Sequence, residues 1–365
     1  MKILLLEPYF TGSHKAWAEG YQSNSSHEIK IISLPGQFWK WRMHGGAITI
    51  AKEFLQSDFI PDLIIATDML DLTTFVSLTK SRTADIPTIL YFHENQITYP
   101  WSSLDRDVME KRDIHYGFIN ISSALAADHV LFNSKYHLKS FVSGATKALK
   151  HFPDHQELDS INDIQLKSEV LYLGMDLLQF DGYKDEKKGD PIILWNHRWE
   201  YDKNPESFFH LLYRLDDENY SFQIVILGEN FQSIPNIFDE AKERLDDRII
   251  HYGYCKEFKE YARWLWKSDI LPVTSNQDFF GISIMEAIYC GVYPILPKRL
   301  TYPELLPDIY HSNHLYDSED DLYEMVKKSI QNIGMVRQNS MVDWIQKFDW
   351  KKMAPLYDKL FYSYI

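Results

Sequence analysis

Cysteine is nearly absent. Cys255 and Cys290 are the only two in 365 residues, which excludes a disulfide framework and a cysteine-based zinc site. Long apolar runs are missing as well. No stretch approaches the roughly 18–20 apolar residues of a membrane-spanning helix, and Ile3–Leu6, ahead of Glu7, is too short for the core of a secretory leader. It reads as a first β-strand. A reducing cytoplasm is the expected location, with no stable membrane association. Positive charge is the scarcer sign, 38 Lys and Arg against 52 Asp and Glu, for a formal charge of −14. That balance repels phosphates at long range and argues against non-specific nucleic-acid binding as the main activity. A local basic groove is still compatible with it. Glycine and proline, at 15 each, exclude collagen-like and low-complexity architectures.

What remains is the composition of a folded protein, 45% hydrophobic, 15% aromatic and 25% charged. At roughly 150 residues per domain, the length suggests two domains, with room for a third. Short apolar runs recur at Lys2–Leu6, Ile29–Ile32, Leu63–Ala66, Ile89–Phe92, Val130–Phe132 and Val170–Leu173. Helix-length segments lie between them, beginning near Lys15 and including Met69–Lys80 and Asp107–Ala127. The charged stretch Asp181–Asp190 then breaks the pattern and reads as a linker. Alternation resumes with Ile192–Trp195, Phe222–Leu227, Ile249–His251, Ile270–Val273 and Tyr293–Leu296, and the tail from Asp317 reads as helical. Strand–helix alternation without a short repeat predicts an α/β fold of two doubly wound halves on parallel sheets, with ligands at the carboxyl ends of the strands.

Several loops after those strands carry candidate chemistry. Arg198 and Lys203 follow the first strand of the second half; a guanidinium fork and a point charge beside a helix start suit phosphate. A solvated loop with one salt bridge is the plainer alternative. Gly281 permits close approach at the start of a later helix. Asp278 precedes that helix and Glu286 lies two turns along it. A carboxylate at 286 suits a pair of ribose hydroxyls, whereas Asp278 could equally be an N-cap. His93 ends a strand in the first half, as a sugar-facing imidazole or a structural one. The loop Thr11–His14 could cradle phosphate, although it lacks a P-loop lysine. Asp105-Arg-Asp107 matches a metal-holding Asp-x-Asp pattern but sits where a helix start favours acids, so no metal site is expected. Lys256, Lys259, Arg263 and Lys267 form a basic stripe, interrupted by Glu260, that serves either RNA or solvent.

Arg198 with Lys203, then Phe280-Gly281 leading to Glu286-Ala287 and Gly291, resembles retaining GT-B glycosyltransferases of family 4. A closer resemblance, spanning nearly the whole chain, is to the tRNA-queuosine mannosyltransferase family. It rests on Gly12–Lys15, Phe38–Arg42, Met69–Leu72, His93–Gln96 with Tyr99-Pro100, Arg112-Asp113 with Tyr116-Gly117, Asn133-Ser134, Trp195–Phe209 and Tyr302–Glu304.

The resemblance implies a GT-B fold, two Rossmann-like domains facing across a cleft. Residues 1–182 would bind acceptor, 191–345 the nucleotide sugar, and 346–365 would cross back as a helix. It implies GDP-mannose as donor and queuosine-containing tRNA, with tRNA-Asp the expected carrier, as acceptor. No metal or other cofactor is implied. Gly12, Ser13, Arg198, Lys203, Tyr254, Phe280, Gly281, Ile282 and Glu286 would bind donor. His93, Asp278, Arg198 and Lys203 would serve the chemistry, and His14, Trp39, Trp41, Arg42, Glu94, Asn95, Gln96 and Arg112 the acceptor. Asp278 stands where family 4 usually has glutamate. The rival expectations are a family 4 enzyme with another nucleotide sugar or a lipid or small-molecule acceptor, and a non-catalytic nucleotide-sugar- or RNA-binding protein.

Overall fold

The computed structural model describes residues 1–101, 107, 114–229 and 235–365. The chain forms two compact units, one of Met1–Asp176 with Phe348–Ile365 and one of Leu177–Lys347. The charged stretch 181–190 thus belongs to the second unit. There Lys187 donates to the Ser268 carbonyl and Lys267 pairs with Asp185 at 3.4 Å.

The first unit contains β1 (Lys2–Phe10), β2 (Glu28–Pro35), β3 (Leu63–Thr67), β4 (Thr88–Phe92), β5 (His129–Phe132) and β6 (Ser168–Val170). They form a parallel sheet in the order β2-β1-β3-β4-β5-β6. Leu4 pairs with Lys30 on one side and Ile64 on the other, so β1 is interior. Runs such as Leu63–Thr67 and Thr88–Phe92 are buried at every position, as a parallel sheet covered on both faces requires. Leu4, Phe54, Phe75, Phe92 and Phe141 pack in its core.

Three elements depart from the sequence reading. The helix expected at Met69 begins at Leu72, because the Asp71 side chain accepts from Thr74 N and caps it. The run Val170–Leu173 pairs only as far as Val170 in β6. Its apolar residues instead lie under the final helix, where the Leu171 and Tyr172 carbonyls accept from Tyr91 and Tyr357 hydroxyls. The helical tail is several helices, Glu319–Gln331, Ile333–Gln338, Val342–Ile345 and Trp350–Tyr362.

That last helix packs on the first unit. Trp17 Nε1 donates to Tyr357 Oη at 3.1 Å, and Tyr21 Oη to Asp358 at 2.9 Å. The Trp350 indole occupies space that only glycines leave open. A Cβ at Gly20 or Gly174 would lie 2.1 or 2.3 Å from the ring.

The second unit contains β7 (Ile192–Asn196), β8 (Gln223–Leu227), β9 (Ile249–Tyr252), β10 (Ile270–Pro272), β11 (Tyr293–Pro297) and β12 (Leu315–Tyr316). Their order is β12-β11-β10-β7-β8-β9. Winding reverses between β7 and β10, so the loops leaving these two strands diverge and open a crevice at their carboxyl ends. Trp195, Trp199, Phe209 and Phe238 anchor the core beneath it, with Trp199 stacked on Phe238 at 4.4 Å. No helix among the described residues is long and apolar enough to cross a membrane.

Candidate active site

In the second unit the switch point gathers the residues that sequence reading singles out. Asn196 ends β7; Arg198 and Lys203 lie in the loop that follows it, before the helix Pro205–Asp217. Arg198 is half-exposed and pairs with Glu200 at 3.1 Å. Lys203 is buried, 7% exposed. Its ammonium donates to the Gln277 carbonyl at 2.7 Å and lies 3.0 Å from Asp278 and 3.1 Å from Asp202. The two carboxylates outweigh the cost of burial and hold Lys203 above the usual lysine range.

Asp278 follows β10 and is not an N-cap. Its Oδ1 takes the Lys203 ammonium and its Oδ2 accepts from the Tyr302 hydroxyl. Against a desolvation that favours the neutral acid, these partners and His197 keep Asp278 below the ordinary aspartate value. The helix Ile282–Tyr289 starts instead at Gly281, whose φ of 85° falls in the left-handed region, and among the described residues no side chain caps its first N–H groups. That is the geometry of an anion site at a helix start. Phe280 is buried beside it, Ile282 opens the helix, and Tyr254 is 59% exposed in the loop after β9.

Glu286 lies on this helix and accepts from Tyr261 Oη at 2.6 Å, while Asn196 donates to the same hydroxyl at 3.1 Å. Burial pushes Glu286 up to about 7, with the tyrosine hydrogen bond opposing. His197 is buried with Nε2 unpartnered among the described residues, and burial lowers it to about 4, leaving a neutral ring.

In the first unit a second polar cluster lies at the ends of β1, β3 and β4. Gly12 opens the helix Gly12–Asn24 with φ 48°, Ser13 is exposed, and the N-cap Thr11 makes no side-chain cap. His14 Nδ1 lies 3.0 Å from the fully buried Glu7 carboxylate. The His93 ring lies tilted, 4.4 Å from the His14 ring, and its Nε2 is buried without a partner among the described residues. Desolvation, the nearby His14 and His137 hold His93 well below the usual imidazole range. Its backbone N–H donates to Asp68 Oδ1 at 2.8 Å.

The remaining sequence candidates are more dispersed. Glu94 accepts from Gln96 at 2.7 Å. Asn95 is buried and uses Oδ1 on the turn, accepting from Ile97 N and Thr98 N, with Nδ2 unpartnered among the described residues. Trp39 packs with Trp101 and Tyr116, whereas Trp41 is 63% exposed. Arg42 donates from Nε to the Pro35 carbonyl. Arg112 and Asp105 lie outside the described residues. Asp107 pairs with Lys40 at 2.5 Å and accepts from Tyr116 Oη.

Among the described residues, Glu7, His14 and His93 bring ligand atoms within 4.8 Å of one another, as do His251, Cys255 and Glu260. In the first group Glu7 Oε2 and His14 Nδ1 are hydrogen-bonded to each other at 3.0 Å. In the second, the Glu260 side chain is largely exposed, and burial pushes the Cys255 thiol up to about 11.

Sequence reading missed Glu7, Asp68, His197, Tyr261 and Tyr302 as site residues. His197 and Tyr302 stood inside quoted runs; Glu7, Asp68 and Tyr261 look like ordinary strand, turn and helix residues until the fold places them.

Residues 2–175 match the family model for the tRNA-queuosine alpha-mannosyltransferase N-terminal region, and residues 180–333 match that for glycosyl transferases group 1. The chain is 33% identical over 376 residues to a Drosophila melanogaster tRNA-queuosine alpha-mannosyltransferase, covering 100% of this chain and 97% of that one. Among solved structures, Anabaena HepE in complex with UDP aligns over the full length of both chains at a TM-score of 0.67 and 15% identity. Sucrose-phosphate synthase from Thermosynechococcus elongatus does so at 0.70 and 13%. These likenesses show the GT-B fold. Together with the full-length relative, they establish that this chain is a GT-B glycosyltransferase belonging to the tRNA-queuosine alpha-mannosyltransferase family.

Proposed function

We propose that the protein transfers mannose, with retention, from GDP-mannose to the cyclopentenediol of queuosine in tRNA, with tRNA-Asp as the carrier, in the cytoplasm and without a metal. The observation that carries this reading is the 33% identity sustained along the whole chain to the Drosophila enzyme. The site geometry supports a donor half in the second unit. As the glycosidic bond breaks, negative charge grows on the leaving diphosphate. Arg198, Lys203 and the uncapped start of the helix Ile282–Tyr289 are positive groups of the kind that stabilise it. Glu286 accepts hydrogen bonds from the ribose hydroxyls, and the exposed Tyr254 ring is offered to the base. Asp278, held as a carboxylate, faces the sugar hydroxyls beside Lys203.

The first unit supplies the acceptor half. Neutral His93 offers a hydrogen-bonding nitrogen without adding charge beside an oxocarbenium-like centre. Gly12 and Ser13 belong to the phosphate-facing loop, while Glu94, Asn95 and Gln96 flank His93. With no enzymic nucleophile assigned, the leaving phosphate takes the proton of the acceptor hydroxyl on the same face. The tRNA is held by a few basic residues, Arg42, Lys135 and Lys139 among them, and by stacking at Trp41.

The test is direct. Purified protein with GDP-mannose should add one hexose to queuosine-containing tRNA and none to the same tRNA bearing guanosine. A pocket built to pair the diol should discriminate by ~10⁴-fold or more, because its polar groups are otherwise left unpaired. Equal labelling of both tRNAs, or transfer to a lipid or free sugar instead, overturns the acceptor assignment.

A further inference from the structure

Glu7 is a carboxylate with no exposed surface in the middle of β1, a position at which an unpaired charge is costly. Both of its oxygens are used. Oε1 accepts from Tyr9 N at 2.8 Å, and Oε2 meets His14 Nδ1 at 3.0 Å. The carboxylate is therefore fixed, and so is the imidazole it faces. With Nδ1 committed, the other nitrogen of His14 has no partner among the described residues. His93 lies 4.4 Å away, ring to ring, with Trp17 edge-on to it at 4.7 Å. Two imidazolium rings that close repel strongly in a desolvated site, so at most one of them carries a second ring proton.

We infer that Glu7 is a positioning residue, which fixes His14 as the charged ring of the pair, a cation in the first turn of the helix Gly12–Asn24 beside the phosphate-facing loop, while the buried His93 stays neutral for the sugar and diol hydroxyls. The inference rests on the mannosyl-transfer reading above and assigns Glu7 an indirect part in it. The charged and titratable groups facing His14 come from three parts of the first unit. Glu7 comes from β1, Asp68 from the loop after β3, and Glu94 and His93 from the loop after β4, while Tyr9 meets the ring edge-on at 6.0 Å. The acids outweigh burial and raise His14 to about 9, whereas Asp68 is itself pushed well up by burial. Glu7 is the only one of the acids in hydrogen-bond contact with His14.

The Glu7→Gln variant separates charge from shape. The amide accepts from Tyr9 N and donates to a neutral His14 ring, so the loop keeps its geometry. The wild-type rate of mannosyl transfer should hold from pH 7 and decline as His14 deprotonates near 9. In Glu7→Gln the alkaline limb should move down by about two pH units, towards an ordinary imidazole. The rate at pH 8 should fall about tenfold or more, and the deficit should shrink on acidification. In a His14→Gln background, Glu7→Gln should add less than about twofold. A merely structural tie predicts a loss that does not respond to pH. An unmoved limb, or a full additional loss in the His14→Gln background, overturns the inference. Histidine ¹⁵N NMR of the unmodified protein gives a readout that needs neither substrate nor variant. His14 should show both nitrogens protonated at pH 7.5 and His93 only one. A neutral His14 there overturns the inference even if mannosyl transfer is confirmed, and a charged His14 supports it even if the acceptor proves to be different.

Discussion

Tyr261 donates a 2.6 Å hydrogen bond to Glu286, and Asn196 at the end of β7 donates to the same tyrosine oxygen. Three elements of the second unit thus converge on one carboxylate. In the proposed reaction it is the group that reads the ribose of the donor nucleotide.

That arrangement predicts a pH-dependent donor affinity. Glu286 is raised to about 7 by burial, so it is charged above that value and neutral below it. The carboxylate accepts hydroxyl hydrogen bonds better than the acid. GDP should bind with full affinity at pH 8 and weaken as pH falls through 7. Tyr261→Phe removes a bond to the charged form and should move the midpoint higher. Calorimetric titration with GDP between pH 6 and 9 checks both, and a flat profile refutes them.

The same residue links binding to stability. A folded value above the ordinary 4.5 means that stability declines as pH rises between 4.5 and about 7, and the full cost is present above 7. Glu286→Gln should therefore gain roughly 1–3 kcal/mol in denaturant unfolding at pH 8 while GDP affinity collapses. Loss of stability at pH 8 would contradict this.

Arg198 and Lys203 should behave differently on truncation. Arg198 is half-exposed on a loop, so Arg198→Ala should leave stability within about 1 kcal/mol and lower turnover by ~10²–10³-fold. Arg198→Lys should rescue poorly for want of the bidentate fork. Lys203 neutralises Asp202 and Asp278 in a buried site. Lys203→Ala should cost roughly 3–5 kcal/mol, and adding Asp278→Asn should recover part of it without restoring activity. Urea denaturation alongside steady-state kinetics separates the two effects.

On the acceptor side, Trp39 and Trp41 should diverge. Trp41 is open to solvent, while Trp39 packs on Trp101 and Tyr116, with Lys40 over the Trp39 and Trp101 rings. Trp41→Ala should raise the tRNA KM by roughly 10-fold, the scale of one lost base stack, and leave GDP-mannose KM unchanged. Trp39→Ala should lower Tm. A Trp41→Ala enzyme with normal tRNA KM would remove stacking from the account.

Activity should also survive excess chelator, since the proposed charge stabilisation comes from side chains and a helix start. Restoration of a chelated enzyme by manganese or magnesium would overturn that expectation.

The fold was largely legible because its strands are continuous apolar runs, which a parallel sheet buried on both faces demands. β12 was not, since two residues, Leu315 and Tyr316, carry no periodicity. Arg198, Lys203, Gly281 and Glu286 were legible as charged or special residues in loops and helices following strands. The apolar run ends before Glu7, which therefore looks like a strand boundary, whereas the strand continues to Phe10. Its burial depends on His14, and pairing across a loop has no signature in local sequence. The partners of Tyr261 and Tyr302 were hidden for a related reason. An aromatic on a helix is most often core, and only the tertiary fold brings their hydroxyls to Glu286 and Asp278.

The wedge of Trp350 between Gly20 and Gly174 has a consequence for biosynthesis. These residues enter the growing chain near its start, at the close of the first sheet, and only after the whole of the second unit. The second unit is contiguous, Leu177–Lys347, whereas the first needs Phe348–Ile365 to complete its packing. On the ribosome, the unit begun first is therefore the one that must wait, its helix-binding face uncovered, and the order of completion reverses the order of synthesis.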